Sequence, residues 1–113
     1  LGRIYFYLKD YARARNELLT AFHTAAESGA RRFMIKAVKS LGDTARGDKR
    51  PRQAVRYYSA LRILHQIKSR DPGPETSRFL DMILPRERWL IEWNSIMTLS
   101  ESQVINRILS GFD

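Results

Sequence analysis

An all-α fold is what this sequence predicts, and three observations predict it. Apolar residues recur every three or four positions through most of the 113 residues, which is the spacing of one helix face. No segment alternates with period two for long enough to make a strand. Glycine, proline and aspartate fall between the periodic runs, where helices stop and start.

Residues 1–8 read as the end of a helix, with Leu1, Ile4, Tyr5 and Leu8 at helical spacing and Lys9-Asp10 as a short turn. Residues 11–28 form a second helix, whose stripe is Tyr11, Ala14, Leu18, Ala21, Phe22 and Ala25. Gly29 stops it, because glycine accepts the left-handed conformation of a helix C-cap. Residues 31–46 form a third helix with Phe33, Ile35, Val38, Leu41 and Ala45 as its apolar residues, broken by Gly47-Asp48. Pro51 suits the first position of the next helix, where its missing N–H costs nothing. That helix is expected to run to about Ser69 through Ala54, Val55, Tyr58, Leu61, Ile63, Leu64 and Ile67.

Residues 70–75 (RDPGPE) are the clearest linker. Residues 76–84 read as a short helix, and Pro85 interrupts it or starts the next. Residues 86–98 carry Trp89, Leu90, Trp93, Ile96 and Met97 on one side. Ser100 and Gln103 have the spacing of a capping box, ahead of Val104, Ile105, Ile108 and Leu109, and Gly111 ends that helix. The expected organisation is two helical hairpins over 1–28 and 31–69, a linker over 70–75, and C-terminal helices over 76–113 acting as a degenerate repeat or a cap.

Composition narrows the function. There is no cysteine, so a disulfide framework and a cysteine-based zinc site are excluded, which fits an intracellular protein. No stretch approaches the roughly 18 apolar residues of a membrane span. The net charge of +8 is concentrated: residues 31–70 hold 12 Lys/Arg against Asp43 and Asp48. A segment of that sign calls for an acidic protein, a nucleic acid or an anionic surface.

Catalysis finds little support. His23 and His65 have no Cys, His or carboxylate at ligand spacing beside them, and no phosphate loop or nucleophile elbow is present. Asp10, Glu17, Glu27, Asp81, Glu87 and Glu92 read as solvated helix positions. The expectation is no enzyme, no metal and no cofactor.

The opening of the chain is written twice. Without a gap, Leu1-Gly2 falls on Leu41-Gly42, Ala14 on Ala54, Leu18 on Tyr58 and Ala21 on Leu61, at an offset of 40. A glycine on the first helix of each hairpin lets the second approach, and an alanine receives it. Leu1-Gly2-Tyr5-Ala14-Leu18 and Leu41-Gly42-Ala45-Ala54-Tyr58 resemble the tetratricopeptide repeat, over residues 1–70. The period departs from the family's roughly 34 residues, Lys9 and Lys49 stand at the turn glycine, and Pro51 stands at the turn aromatic. HEAT-like helical pairs and the helical lobe of PCI-type scaffold subunits also tolerate a period near 40 and stay open. The resemblance implies hairpins stacked as a right-handed α-solenoid. Leu1 would begin midway into a helix, so a fragment of a longer array, or one completed by another protein, is expected.

By the same resemblance, Arg3, Phe6 and Tyr7 would line a concave peptide-binding groove with Lys36, Lys39, Asp43 and Arg46. The latter four recur at i, i+3, i+7 and i+10, on one face of one helix. That stripe suits an acidic protein segment, resembling carboxylate-clamp repeats without their asparagines, and reads equally as a solvated lysine face. Lys49, Arg50, Arg52 and Arg56 cluster at a helix start, where the dipole opposes cations, and so suit phosphate. Trp89 and Trp93 fit core packing or a partner-binding face. The function expected is a protein-binding adaptor in a larger assembly. A basic RNA-associated assembly subunit is the alternative, and the repeat region of a transcriptional regulator is a third reading.

Overall fold

A computed structural model of the protein describes residues 10–112. Among them the helices are α1 (Tyr11–Ser28), α2 (Arg31–Gly47), α3 (Pro51–Leu64), α4 (Pro74–Asp81), α5 (Arg86–Met97) and α6 (Glu101–Leu109), with no strand. The helix expected over 1–8 lies outside the described residues.

The helix ends follow local chemistry. The Asp10 carboxylate accepts from the Arg13 N–H at 3.3 Å and caps α1. Ser100 and Gln103 form the expected capping box at α6, with bonds of 3.2 and 2.8 Å. Gly29 ends α1 at φ 68°, and the Ala30 N–H turns back to Ala25 O at 2.8 Å. The same backbone ending closes α2 and α3 without glycine. Lys49 takes φ 58° while Arg50 N–H reaches Ala45 O, and Gln66 takes φ 59° while Ile67 N–H reaches Arg62 O.

That last turn corrects the sequence reading of α3, which stops at Leu64 and not near Ser69. The chain then runs exposed to Asp71, held by Trp93, whose Nε1–H donates to Arg70 O at 2.8 Å. α4 starts at Pro74, not at residue 76, because Gly73 at φ 85° places Pro74 as the first helical residue.

α2 packs against α1 on one side and α3 on the other. A Cβ on Gly42 would come within 2.8 Å of Tyr58 Cε1, so the glycine is what lets α3 lie this close. Ala54, facing this seam from α3, is fully buried, as is Ala14 on α1. Gly47 does for Tyr11 what Gly42 does for Tyr58, again at 2.8 Å.

The C-terminal helices do not stand apart. α5 packs on α3, α4 on α5, and α6 crosses back onto both α1 and α3. Ile96, Val104, Ile108 and Phe112 join Phe22, Val38, Leu41 and Leu64 in one core. A second cluster holds Val55, Leu80, Leu84, Trp89 and Trp93. Two arginines from the basic middle fasten this layer. Arg31 donates to Leu64 O at 2.8 Å and pairs with Glu101 at 2.5 Å. Arg56 donates to Glu92 at 2.6 Å and to Phe112 O at 2.7 Å. The radius of gyration, 13.2 Å, is that of a compact globule of this length.

Candidate functional site

The residues singled out on α2 stay on one face. Lys36, Lys39 and Arg46 are exposed and Asp43 is half-buried among them. The interior face of α2 is Met34, Ala37, Val38, Leu41, Thr44 and Ala45, a 3.6-residue stripe. Phe33 falls outside that stripe. It was expected among the apolar core positions and is 62% exposed, with Lys36 Nζ 5.8 Å from its ring centre. Arg3, Phe6 and Tyr7 lie outside the described residues.

A groove runs along each side of this stripe. The first, about 760 Å³, lies between α1 and α2. Leu18, Ala21, Ala25 and Ala37 give it an apolar floor, Phe33 stands at its edge, and the charged residues that line it, Lys36 and Lys39, are both cationic. The second, about 470 Å³, lies between α2, α3 and α4. Lys39, Arg46, Arg62 and His65 line it together with Asp43, over Tyr58, Phe79 and Trp93.

The acid in the stripe is committed. Tyr58 O–H donates to Asp43 Oδ1 at 2.5 Å, and Lys39 Nζ lies 3.9 Å from Oδ2. Burial, then the hydrogen bond to Asp43 and its negative charge, push the Tyr58 phenol well above its usual value, with Arg46 opposing. The phenol is therefore protonated at neutral pH and remains a donor. Arg46 stacks over Phe79 at 5.1 Å, and Phe79 meets Tyr58 edge-on at 5.1 Å. Sequence reasoning missed Phe79, Arg62 and His65 as members of this site. Arg62 and His65 come from the end of α3 and Phe79 from α4, and no spacing rule links 46, 62 and 79.

The second predicted cluster is divided. Lys49, Arg50 and Arg52 are exposed around the start of α3, which has no side-chain cap. Arg50 Nε lies 3.2 Å from Asp48, which Arg15 also approaches at 3.7 Å. Arg56 does not belong with them. It sits one turn further on, faces α5, and is used up in the Glu92 pair and the Phe112 carbonyl. Glu92, expected as a solvated position, is 12% exposed at its side chain for the same reason.

Trp89 and Trp93 are each 1% exposed and pack edge to face at 6.4 Å. Their rings fill the second cluster, which corrects the reading of an exposed partner-binding face: only a sliver of Trp93 reaches the wall of the second groove. Asp81 is exposed at the end of α4, as expected, and its carboxylate accepts from Trp89 Nε1–H at 2.8 Å and from Arg86 at 2.7 Å. His23 approaches Glu27 at 3.3 Å on the α1 surface. Among the described residues no helix is long and apolar enough to cross a membrane.

Comparison with protein-family models finds no match, and neither does comparison with curated proteins or with solved structures. The tetratricopeptide resemblance thus stands on the residues quoted above.

Proposed function

We propose that the protein is a non-catalytic helical-repeat adaptor, with two tetratricopeptide-like hairpins, whose α2 face grips an acidic protein segment. One observation carries this reading. Lys36, Lys39 and Arg46 project from a single helix face between two grooves, and the acid among them, Asp43, is already engaged by Tyr58. An apolar floor beside a cationic rim suits a segment that alternates acidic with aliphatic side chains. The repeat reading draws its support from the Gly42–Tyr58 approach and the buried Ala14 and Ala54.

The test is fluorescence anisotropy with a labelled peptide of alternating Glu and Leu, against a Gln-Leu control, at several salt concentrations. The acidic peptide binds and the control does not. Replacing Lys36, Lys39 and Arg46 by alanine together weakens binding about a hundredfold, at roughly 1 kcal/mol per lost charged contact. Unchanged binding by that triple variant ends the proposal. A labelled single-stranded RNA in the same titration checks the second reading, favoured by the uncapped α3 start with Lys49, Arg50 and Arg52 exposed. Tighter binding of RNA, steeply salt-dependent and lost when those three become alanine, replaces the adaptor reading with the RNA-associated one.

A further inference from the structure

The groove between α2, α3 and α4 differs from its neighbour in what it asks of a ligand. Its charged lining is Lys39, Arg46 and Arg62 against Asp43, a balance of +2 with His65 neutral. Asp43 is tied to Tyr58 at 2.5 Å and near Lys39 at 3.9 Å, so the negative charge is held at one wall. Arg46 is stacked on Phe79, which orders its guanidinium before any ligand arrives. Arg62 is anchored through Nε to Ser69 O at 2.9 Å, and its Nη donors are not needed for that bond. The outcome is two arginines and a lysine around about 470 Å³ of open volume.

A single carboxylate neutralises half of that charge. A phosphate monoester carries about −1.5 to −2 at neutral pH and offers three strong acceptor oxygens. It matches both the charge and the number of donors, and arginine binds it with two parallel hydrogen bonds. The adjoining α1–α2 groove, with its apolar floor and lysine rim, has no such demand.

We propose that this groove is a phosphate-monoester site and reads a phosphorylated side chain on the acidic segment. The inference rests on the α2 face binding a protein segment and adds what that segment carries. Arg46 and Arg62 clamp the phosphate, and Lys39 closes the site from α2.

Isothermal titration calorimetry on the whole protein tests it, with an acidic hexapeptide containing one serine in phosphorylated and unphosphorylated form. Phosphorylation tightens binding about tenfold or more, as charge-assisted arginine contacts do. Arg46→Ala and Arg62→Ala each abolish that gain, and Arg46→Lys loses most of it because lysine lacks the planar fork. Lys36→Ala weakens both forms and leaves their ratio unchanged. Equal binding of the two forms overturns the phosphate site while leaving the adaptor reading in place. Failure of both forms to bind sinks both. Inorganic phosphate or AMP binding as tightly as the phosphopeptide also overturns it, because the pocket then serves a free anion or a nucleotide.

Discussion

The α2 face and the α4–α6 layer draw on the same basic stretch of chain in opposite ways. In the C-terminal layer charges are matched: Arg56 with Glu92, Arg31 with Glu101, Arg86 with Asp81. The first two pairs join the basic middle of the sequence to the more acidic end. On α2, Lys36, Lys39 and Arg46 are exposed on one face with a single acid, Asp43, which lies 3.9 Å from Lys39 and accepts from Tyr58. Arg56, whose carboxylate partner Glu92 is 12% exposed, is the structural extreme of the matched cations. A cation left at the rim of a groove is available to a ligand. Arg56 and Arg46 look alike in the sequence, ten residues apart, and the fold gives them different work.

The comparison has a strong mechanical test. Trp93→Ala empties a fully enclosed site in the second cluster and releases the 65–73 segment from its Arg70 anchor. Urea denaturation should show a loss of about 3–5 kcal/mol, the range for an aromatic removed from a core. A loss below 1 kcal/mol would mean the C-terminal layer is not part of the same cooperative unit.

Next in size is a matched pair of substitutions. Arg56→Ala leaves Glu92, 12% exposed, without its partner and frees the Phe112 carbonyl. It should cost about 2–4 kcal/mol in urea denaturation, toward the lower end of a broken buried pair because some solvent reaches it. Lys39→Ala, made in parallel, removes an exposed pair 3.9 Å long and should change stability by less than about 0.5 kcal/mol. Equal effects would erase the distinction between structural and available cations.

A smaller effect sharpens it. Lys49 holds φ 58°, a left-handed conformation that costs a side chain roughly 1 kcal/mol relative to glycine. Lys49→Gly should therefore raise the melting temperature by several degrees, the shift about 1 kcal/mol gives in a domain of this size. Peptide binding on α2 should not change. If binding of the acidic segment falls instead, Lys49 belongs to the binding surface and the site extends around the α2–α3 turn.

The last test uses pH. The hydrogen bonds from Arg86 and then Trp89 hold the Asp81 carboxyl below its usual range. A lowered folded-state value means the contribution is complete above about pH 4, where the unfolded-state carboxyl has also ionised, and disappears as pH falls through the folded value. Asp81 is exposed, so the effect is small. Asp81→Asn should lower the plateau above about pH 4 slightly and leave stability below the folded value unchanged, so that the acid limb flattens. A loss that persists undiminished at low pH would contradict the pairing.

Much of this architecture was legible in the order of residues. Helix starts and stops at Gly29, Pro51 and the Ser100–Gln103 box follow from backbone chemistry that acts within a few residues, so local sequence determined them. The α2 stripe was legible too, because the 3.6-residue period places 36, 39, 43 and 46 on one face whatever surrounds the helix. The Gly42 and Ala54 positions were readable for the same kind of reason: a missing side chain has a fixed consequence for how near a neighbour can come.

Other features depend on contacts between residues far apart in the chain, and only the tertiary structure decided them. α3 ends five residues early because Gln66 turns left-handed, a conformation nothing in its side chain favours over the preceding residues. Phe33 is outside and Met34 inside because α1 and α3 approach α2 from particular directions. Arg56 turned inward because α5 brings Glu92 to it across 36 positions. The groove between α2, α3 and α4 needs Arg46, Arg62 and Phe79 together, and their meeting is a property of how three helices pack. Local backbone preference and helical period are short-ranged and survive in a string of letters. Partner choice among like charges is a long-range competition, settled when burial makes one pairing costly to leave unmade.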